Sequence, residues 1–129
     1  MTLREVVHAH IPFLHAGSTV RDAIDKMDIY QFPALVIVDE EKHVLSVITE
    51  GDISRAVQKE GLLKISAEPA IHFSSKDPVC GSPSMEIGDA LHLMLNSGLT
   101  ILPVVEDSTL TGIVLRIDLM QAMLADFAS

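Results

Sequence analysis

Residues 47–57 read "VITEGDISRAV": a short apolar run, then Thr49, two intervening residues, and Asp52 opening a stretch with helical periodicity. Two chemistries suit that arrangement. Asp is a favoured N-cap, because its carboxylate accepts the N–H groups that the first helical turn leaves unpaired. A hydroxyl and a carboxylate at a helix start equally suit a phosphate and a sugar hydroxyl, since the helix N-terminus presents N–H donors and a positive dipole end. Spacing alone leaves both readings open, so the surrounding chain has to be read for what this stretch belongs to.

The stretch occurs twice. "VITEGDISRAV" aligns with "IVLRIDLMQAM" (113–123) at an offset of 66 (118 − 52), and upstream "TVRDAIDKM" (19–27) aligns with "EIGDALHLM" (86–94) at 67 (89 − 22). The one-residue slip falls where "DEEKH" in the first copy faces "EDST" in the second, a turn in which a deletion is tolerated. Val20, Ala23, Ile24 and Met27 keep the i, i+3, i+4, i+7 spacing of one buried helix face, as do Ile87, Ala90, Leu91 and Met94. "ALVIV" (34–38) and "ILPVV" (101–105) read as buried strands, and "VLSVIT" (44–49) and "LTGIVL" (110–115) as a second strand in each copy. The acidic turns between them predict antiparallel hairpins. After Asp52 and Asp118, Ile53, Ala56, Val57 and Leu119, Ala122, Met123 form a second helical stripe, with Gly61 a stop for the first of these helices.

Each copy opens with a short extended piece, "IPFL" (11–14) and "PVC" (78–80), and "KISAEPAIHFSSKDP" (64–78) reads as the connection between copies. The predicted fold class is α+β: two β-α-β-β-α repeats packed sheet to sheet with pseudo-two-fold symmetry. One repeat alone has too little core to stand comfortably by itself.

Composition narrows the function classes. The 129 residues are 48% hydrophobic, enough for one compact domain. No run approaches the ~20 apolar residues of a membrane helix, and "MTLREVV" predicts no secretory signal. The single cysteine, Cys80, excludes an intramolecular disulfide and suits a reducing cytoplasm. A net charge of −9, from 18 acids and 9 bases, argues against nucleic acid, whose binding neutralises phosphates with Lys and Arg. With no Trp, one Tyr and four Phe there is no stacking platform for single strands. One small anionic ligand remains compatible with an acidic chain, because backbone N–H groups can hold a phosphate.

The order of elements, the tandem duplication and a strand ending in Thr-x-x-Asp at a helix start resemble a cystathionine-β-synthase-type (CBS) domain pair, the Bateman module. The resemblance covers essentially the whole chain: one module over 1–129, with a first copy at 1–61 and a second at 65–127. It implies regulation rather than catalysis, in a stand-alone member with no prosthetic cofactor. Such pairs commonly bind AMP, ADP, ATP, S-adenosylmethionine or NAD in clefts between the copies, a role in energy sensing. They report occupancy to a partner protein and usually form a homodimer through their helices. The implied setting is cytoplasmic, without nucleic acid or membrane partners.

Carried over residue by residue, the motif places a first cleft at Val47, Thr49 and Asp52, with Arg55 one turn on as the nearest cation. Ser46 stands where the family usually has Gly. The resemblance implies that Asp52 accepts both ribose hydroxyls, that Thr49 and the first helical N–H groups face phosphate, and that Val47 offers backbone groups to the base. An ionised carboxylate is an acceptor suited to a diol. In the second copy Gly112, Ile113 and Asp118 match, but Leu115 replaces the threonine, with Arg116 beside it as a substitute cation. That cleft ranks below the first. Phe13 and Cys80, on the short entry segments, are the implied base neighbours.

Against these stands helix capping, which explains Asp52 and Asp118 without a ligand. Two functions therefore stay open: an adenosyl-ligand sensor, and a dimerisation and protein-interaction module with empty clefts, which Ser46 and Leu115 favour. "HAH" (8–10), with His15, lacks the Cys partners or His-Glu-x-x-His helix of a zinc site and reads as edge histidines. Cys80 reads as a small packed hydrophobe, and Met120 and Met123 suit a dimer interface. P-loop, dinucleotide and nucleophile-elbow motifs are absent from the sequence, so no catalytic residue is assigned and no metal site is expected.

Overall fold

A computed structural model describes residues 1–128. The chain forms two compact units, Pro12–Pro78 and Met1–Ile11 together with the chain from Val79 onward.

In the Pro12–Pro78 unit, β1 (Leu14–His15) runs parallel to β2 (Ala34–Val38), and β2 pairs antiparallel with β3 (Val44–Thr49). Helix α1 (Val20–Tyr30) joins β1 to β2, and α2 (Glu50–Glu60) follows β3 directly. Every residue of β2 is buried, as its unbroken β-branched run implies for a central strand. Val20 and Ala23 of α1 and Ile53 and Ala56 of α2 close the core over Leu35, Ile37 and Ile48, with Ile24, Met27 and Val57 at its margin. Gly61 ends α2 at φ +90°, a conformation only glycine adopts without strain.

The segment expected as a plain connection is instead part of this core. Helix α3 (Leu62–Ile65) and a 3-10 turn at Ala70–Phe73 fold back onto the unit, with Ile65 and Ala70 fully buried. Two bridges hold it, Thr19 to Pro69 and Val47 to Ser75. Its Pro, Ser and charged residues disguised two buried apolar anchors.

The other unit repeats the plan. Helix α4 (Ile87–Ser97) leads to an antiparallel pair, β4 (Ile101–Glu106) and β5 (Thr109–Leu115), and α5 (Arg116–Ala128) follows β5. Both hairpins carry a register shift at the matching place, Ile37/Val38 and Val104/Val105, 67 residues apart (104 − 37). Leu14 lies opposite Ile37 and Gly81 opposite Val104, again in parallel. Pairing in the entry segments thus falls at the C-terminal end of "IPFL" and just beyond "PVC".

The leader of the first copy packs here. A 3-10 turn at Leu3–Glu5 buries Leu3 completely among Ile87, Met94, Leu102 and Leu119. Thr2 bridges Glu86 and His8 bridges Ile113. These contacts match those of the 69–75 leader at the same spacing (69 − 2 = 67, 75 − 8 = 67), so each leader completes the unit holding the other copy's hairpin. No helix among the described residues is long and apolar enough to cross a membrane.

Candidate functional site

Thr49 ends β3 in extended backbone and is the N-cap of α2, while Asp52 is its third helical residue. This corrects the expectation that Asp52 caps the helix. Asp52 N–H donates to Thr49 Oγ1 at 3.0 Å, and Thr49 N–H donates to Asp52 Oδ2 at 2.8 Å. The pair is a reciprocal capping box. Thr19 and Asp22 make the same box at the start of α1, with bonds of 3.2 and 2.8 Å. The same Thr-x-x-Asp spacing stands in "TVRD" (19–22). Capping therefore accounts for one oxygen of Asp52 and for the threonine.

The second oxygen sets Asp52 apart. Arg55 Nη2 donates to Asp52 Oδ1 at 2.8 Å, so the guanidinium folds back over the helix start, close to Gly51. The Asp52 side chain is 12% exposed and that of Arg55 is 72% exposed. A sheltered carboxylate thus carries one backbone partner and one solvated side-chain partner. Arg55, expected near a phosphate, is here a ligand of the carboxylate. Val47 is partly buried and its C=O accepts Ser75 N–H at 3.0 Å. The Ser46 departure has a local explanation: its buried hydroxyl is hydrogen-bonded to that of Ser74 at 2.8 Å.

The second copy arranges the same positions differently. Asp118 Oδ2 accepts Leu115 N–H at 2.8 Å, the backbone half of the box, and Leu115 has no hydroxyl for the other half. The same oxygen lies 2.9 Å from His8 Nε2. A carboxylate oxygen only accepts, so Nε2 carries the proton in this contact. Ile113 is buried on β5 and exchanges both backbone hydrogen bonds with His8, at 2.9 and 3.1 Å. Arg116 is exposed at the first turn of α5. His8 is the residue whose role the sequence did not reveal: "HAH" suggested an edge or a metal, and nothing local pointed to a partner 110 residues away. No group of three or more His, Cys, Asp or Glu among the described residues is placed to hold a metal.

Phe13 and Cys80 lie in different units. Phe13 precedes β1 with Lys42 Nζ 5.2 Å from its ring centroid and the His15 ring edge-on at 5.6 Å. Its C=O accepts Lys26 Nζ at 2.8 Å. Cys80 is half-buried, and burial pushes its thiol above the ordinary value, which disfavours the nucleophilic thiolate. A separate open groove of about 560 Å³ lies between α1 and α2, walled by Ile24, Met27, Phe32, Pro33 and Ile53 with Asp28 and Glu50 at its rim. None of the sequence-predicted site residues lines it.

The CBS domain family model matches residues 3–59 and 70–125. An uncharacterized 17.7 kDa protein of Acidianus ambivalens is 32% identical over 107 residues, 82% of this chain and 63% of its own length. The chain spans only 22% of an inosine-5'-monophosphate dehydrogenase of Methanocaldococcus jannaschii, to which it is 30% identical over 91% of its own residues. Among solved structures, CBSX2 in complex with AMP superposes with a TM-score of 0.82 at 21% identity, covering 97% of both chains. The CBS domain pair of protein MJ0100, solved with 5'-methylthioadenosine and S-adenosyl-L-methionine, gives 0.83 at 16% identity over 98% of both. Two family matches in tandem, on the repeated elements described above, show that this chain belongs to the CBS domain family.

Proposed function

We propose that this chain is a non-catalytic regulatory module that binds one adenosine-containing ligand, AMP, ADP or ATP before S-adenosylmethionine, at the start of α2, and signals occupancy to a partner protein. The observation that carries the reading is the Asp52 carboxylate, sheltered at 12% exposure yet held on Oδ1 by a solvated Arg55. A pair whose guanidinium stands in solvent is worth about 1 kcal/mol, so a ribose diol can displace it at little cost. Its two O–H donors replace one charge-assisted bond with two. The released guanidinium stays one turn above the helix start, where a phosphate meets Arg55, the Thr49 hydroxyl and the positive end of α2. Val47 and Phe13 are the neighbours proposed for the base, with Cys80, Ile113, Arg116 and Asp118 as the weaker second set. AMP in the CBSX2 complex and the adenosyl ligands of MJ0100 support this ligand class.

Homodimerisation through the helices belongs to the same proposal. On α5, Ile117, Met120, Leu124 and Phe127 recur at i, i+3, i+7 and i+10 and are 61, 43, 63 and 89% exposed. A solvated apolar stripe of that length suits an interface. Met123, by contrast, packs against the core. That stripe also supports the second reading, a dimerisation module that needs no ligand.

Thermal melts separate the two. AMP at a hundredfold excess over Kd stabilises the folded state by about 2.7 kcal/mol, and Asp52→Ala is expected to abolish the rise in melting temperature. Melts unmoved by AMP, ADP, ATP and S-adenosylmethionine at millimolar concentration would leave the dimerisation reading standing.

A further inference from the structure

We propose that His8 acts as an internal stand-in for ligand at Asp118, so that the leader of the first copy keeps the second half-site closed. This rests on the adenosyl reading of Asp52. At the second position this one segment engages an oxygen of the Asp118 carboxylate and the strand-edge groups of Ile113. Asp118 Oδ2 carries two donors, Leu115 N–H at 2.8 Å and His8 Nε2 at 2.9 Å. The strand-edge groups of Ile113 are both taken: its C=O accepts His8 N–H at 2.9 Å and its N–H donates to His8 C=O at 3.1 Å. At the hydroxyl position stands Leu115, which offers a phosphate nothing.

The leader is firmly seated. Leu3 is fully buried, Leu3 N–H donates to Met85 C=O at 2.9 Å and Arg4 N–H to Pro83 C=O at 3.0 Å. Gly112 lies so close beneath it that a Cβ there would collide with the His8 carbonyl oxygen and come within 2.7 Å of Val7 Cγ2. His8 therefore reaches Asp118 from a strap that is pinned at Leu3 and Arg4 and at its own backbone.

The other leader supplies no such latch: the Asp52 carboxylate meets Arg55 of its own helix instead. Ser75 matches His8 in position (75 − 8 = 67) and bridges Val47 as His8 bridges Ile113, its N–H donating to the Val47 C=O at 3.0 Å, so the two leaders differ in the side chain each offers to the carboxylate. A serine cannot span to the α2 carboxylate as an imidazole does, and Asp52 is left to Arg55, a flexible and solvated partner. One chain thus holds the same carboxylate position in two states, one with an exchangeable cation and one latched by a residue that belongs to a neighbouring strap.

Titration calorimetry with AMP on the full chain tests this. Wild type and Leu115→Thr are expected to take one AMP per chain, because restoring the hydroxyl leaves His8 in place. His8→Ala combined with Leu115→Thr is expected to take two. His8→Gln with Leu115→Thr returns the count to one, because the Gln amide still donates to the carboxylate. Two sites in Leu115→Thr alone, or one site in the His8→Ala combination, overturns the latch while leaving the Asp52 reading intact. No binding of AMP, ADP, ATP or S-adenosylmethionine to any of the four proteins overturns the adenosyl reading and, with it, the latch. The His8 side chain is 46% exposed, so its truncation leaves the core untouched, and a normal melt of the variant verifies that.

Discussion

Gly112→Ala tests how tightly the leader lies on β5. Gly112 is buried on that strand, and an added Cβ would overlap the His8 carbonyl and approach Val7 Cγ2 to 2.7 Å. Backbone rather than a flexible side-chain end stands in the way, so something must move. One response is release of the leader, which forfeits the two His8–Ile113 backbone bonds and the burial of Leu3, together about 3–6 kcal/mol. The other is a local shift of strap and strand, the ordinary overpacking response at about 1–3 kcal/mol. The smaller term wins, so the strap is expected to stay bound but displaced, with a loss near 2 kcal/mol. At about 3–5 °C per kcal/mol for a chain of this size, the melting temperature falls by roughly 6–10 °C. Hydrogen exchange at the amides of His8 and Ile113 quickens with it. Gly88→Ala is the control: Gly88 is exposed in α4 with nothing within 4 Å of an added Cβ, so alanine is neutral or stabilises by up to about 1 kcal/mol. A Gly112→Ala melt within about 1 °C of wild type would refute the seating of the leader.

Two further outcomes follow from titratable groups. Asp39 Oδ1 accepts His43 N–H at 2.8 Å and Glu41 N–H at 2.9 Å, and chiefly the His43 backbone bond holds its carboxyl below the ordinary value of 3.8. A depressed folded value means stability present above the unfolded one and lost as pH falls through the folded one, so Asp39→Asn should destabilise at neutral pH and match wild type in acid below the carboxylate range; an equal deficit at all pH values counts against it. Burial raises the Cys80 thiol, so disulfide-exchange reagents at mildly alkaline pH should label the folded chain more slowly than the chain in denaturant, and equal rates would contradict the burial.

What could be read from the sequence was what a short window contains. The spacing of Val20, Ala23, Ile24 and Met27 and the unbroken run at 34–38 specify a helix face and a central strand by local periodicity, and both hairpins follow from the acidic turns. The duplication, visible at offsets 67 and 66, carried the fold class. The leaders escaped for a physical reason. Each contributes little more than one fully buried side chain, Leu3 and Ala70, to a unit assembled from residues far away in the chain. No periodicity can build up over one anchor. The same gap hid the contact of His8 with Asp118, whereas Thr49 and Asp52, three residues apart, fall within one window, which misassigns only which of them is the cap.

The differences between the two copies fall in matched sets, and that is the strongest argument that they are related. Where β5 has Gly112, its strap lays Val7 and the His8 carbonyl against the bare backbone. Where β3 has Ser46 instead, the strap offers Ser74, and the two hydroxyls bond at 2.8 Å. Where the helix start has Thr49, the strap supplies only Ser75 and the carboxylate bonds Arg55; where it has Leu115, the strap supplies His8, which bonds the carboxylate. Random drift at eight positions would break packing at some of them, since a buried hydroxyl without a partner costs roughly 1–3 kcal/mol and a Cβ over Gly112 has nowhere to go. Instead each strap fits the surface beneath it. The asymmetry between the two copies therefore resides in the straps as much as in the Thr-x-x-Asp positions: Asp118 is bonded by a residue of its strap, and Asp52 by a solvated residue of its own helix.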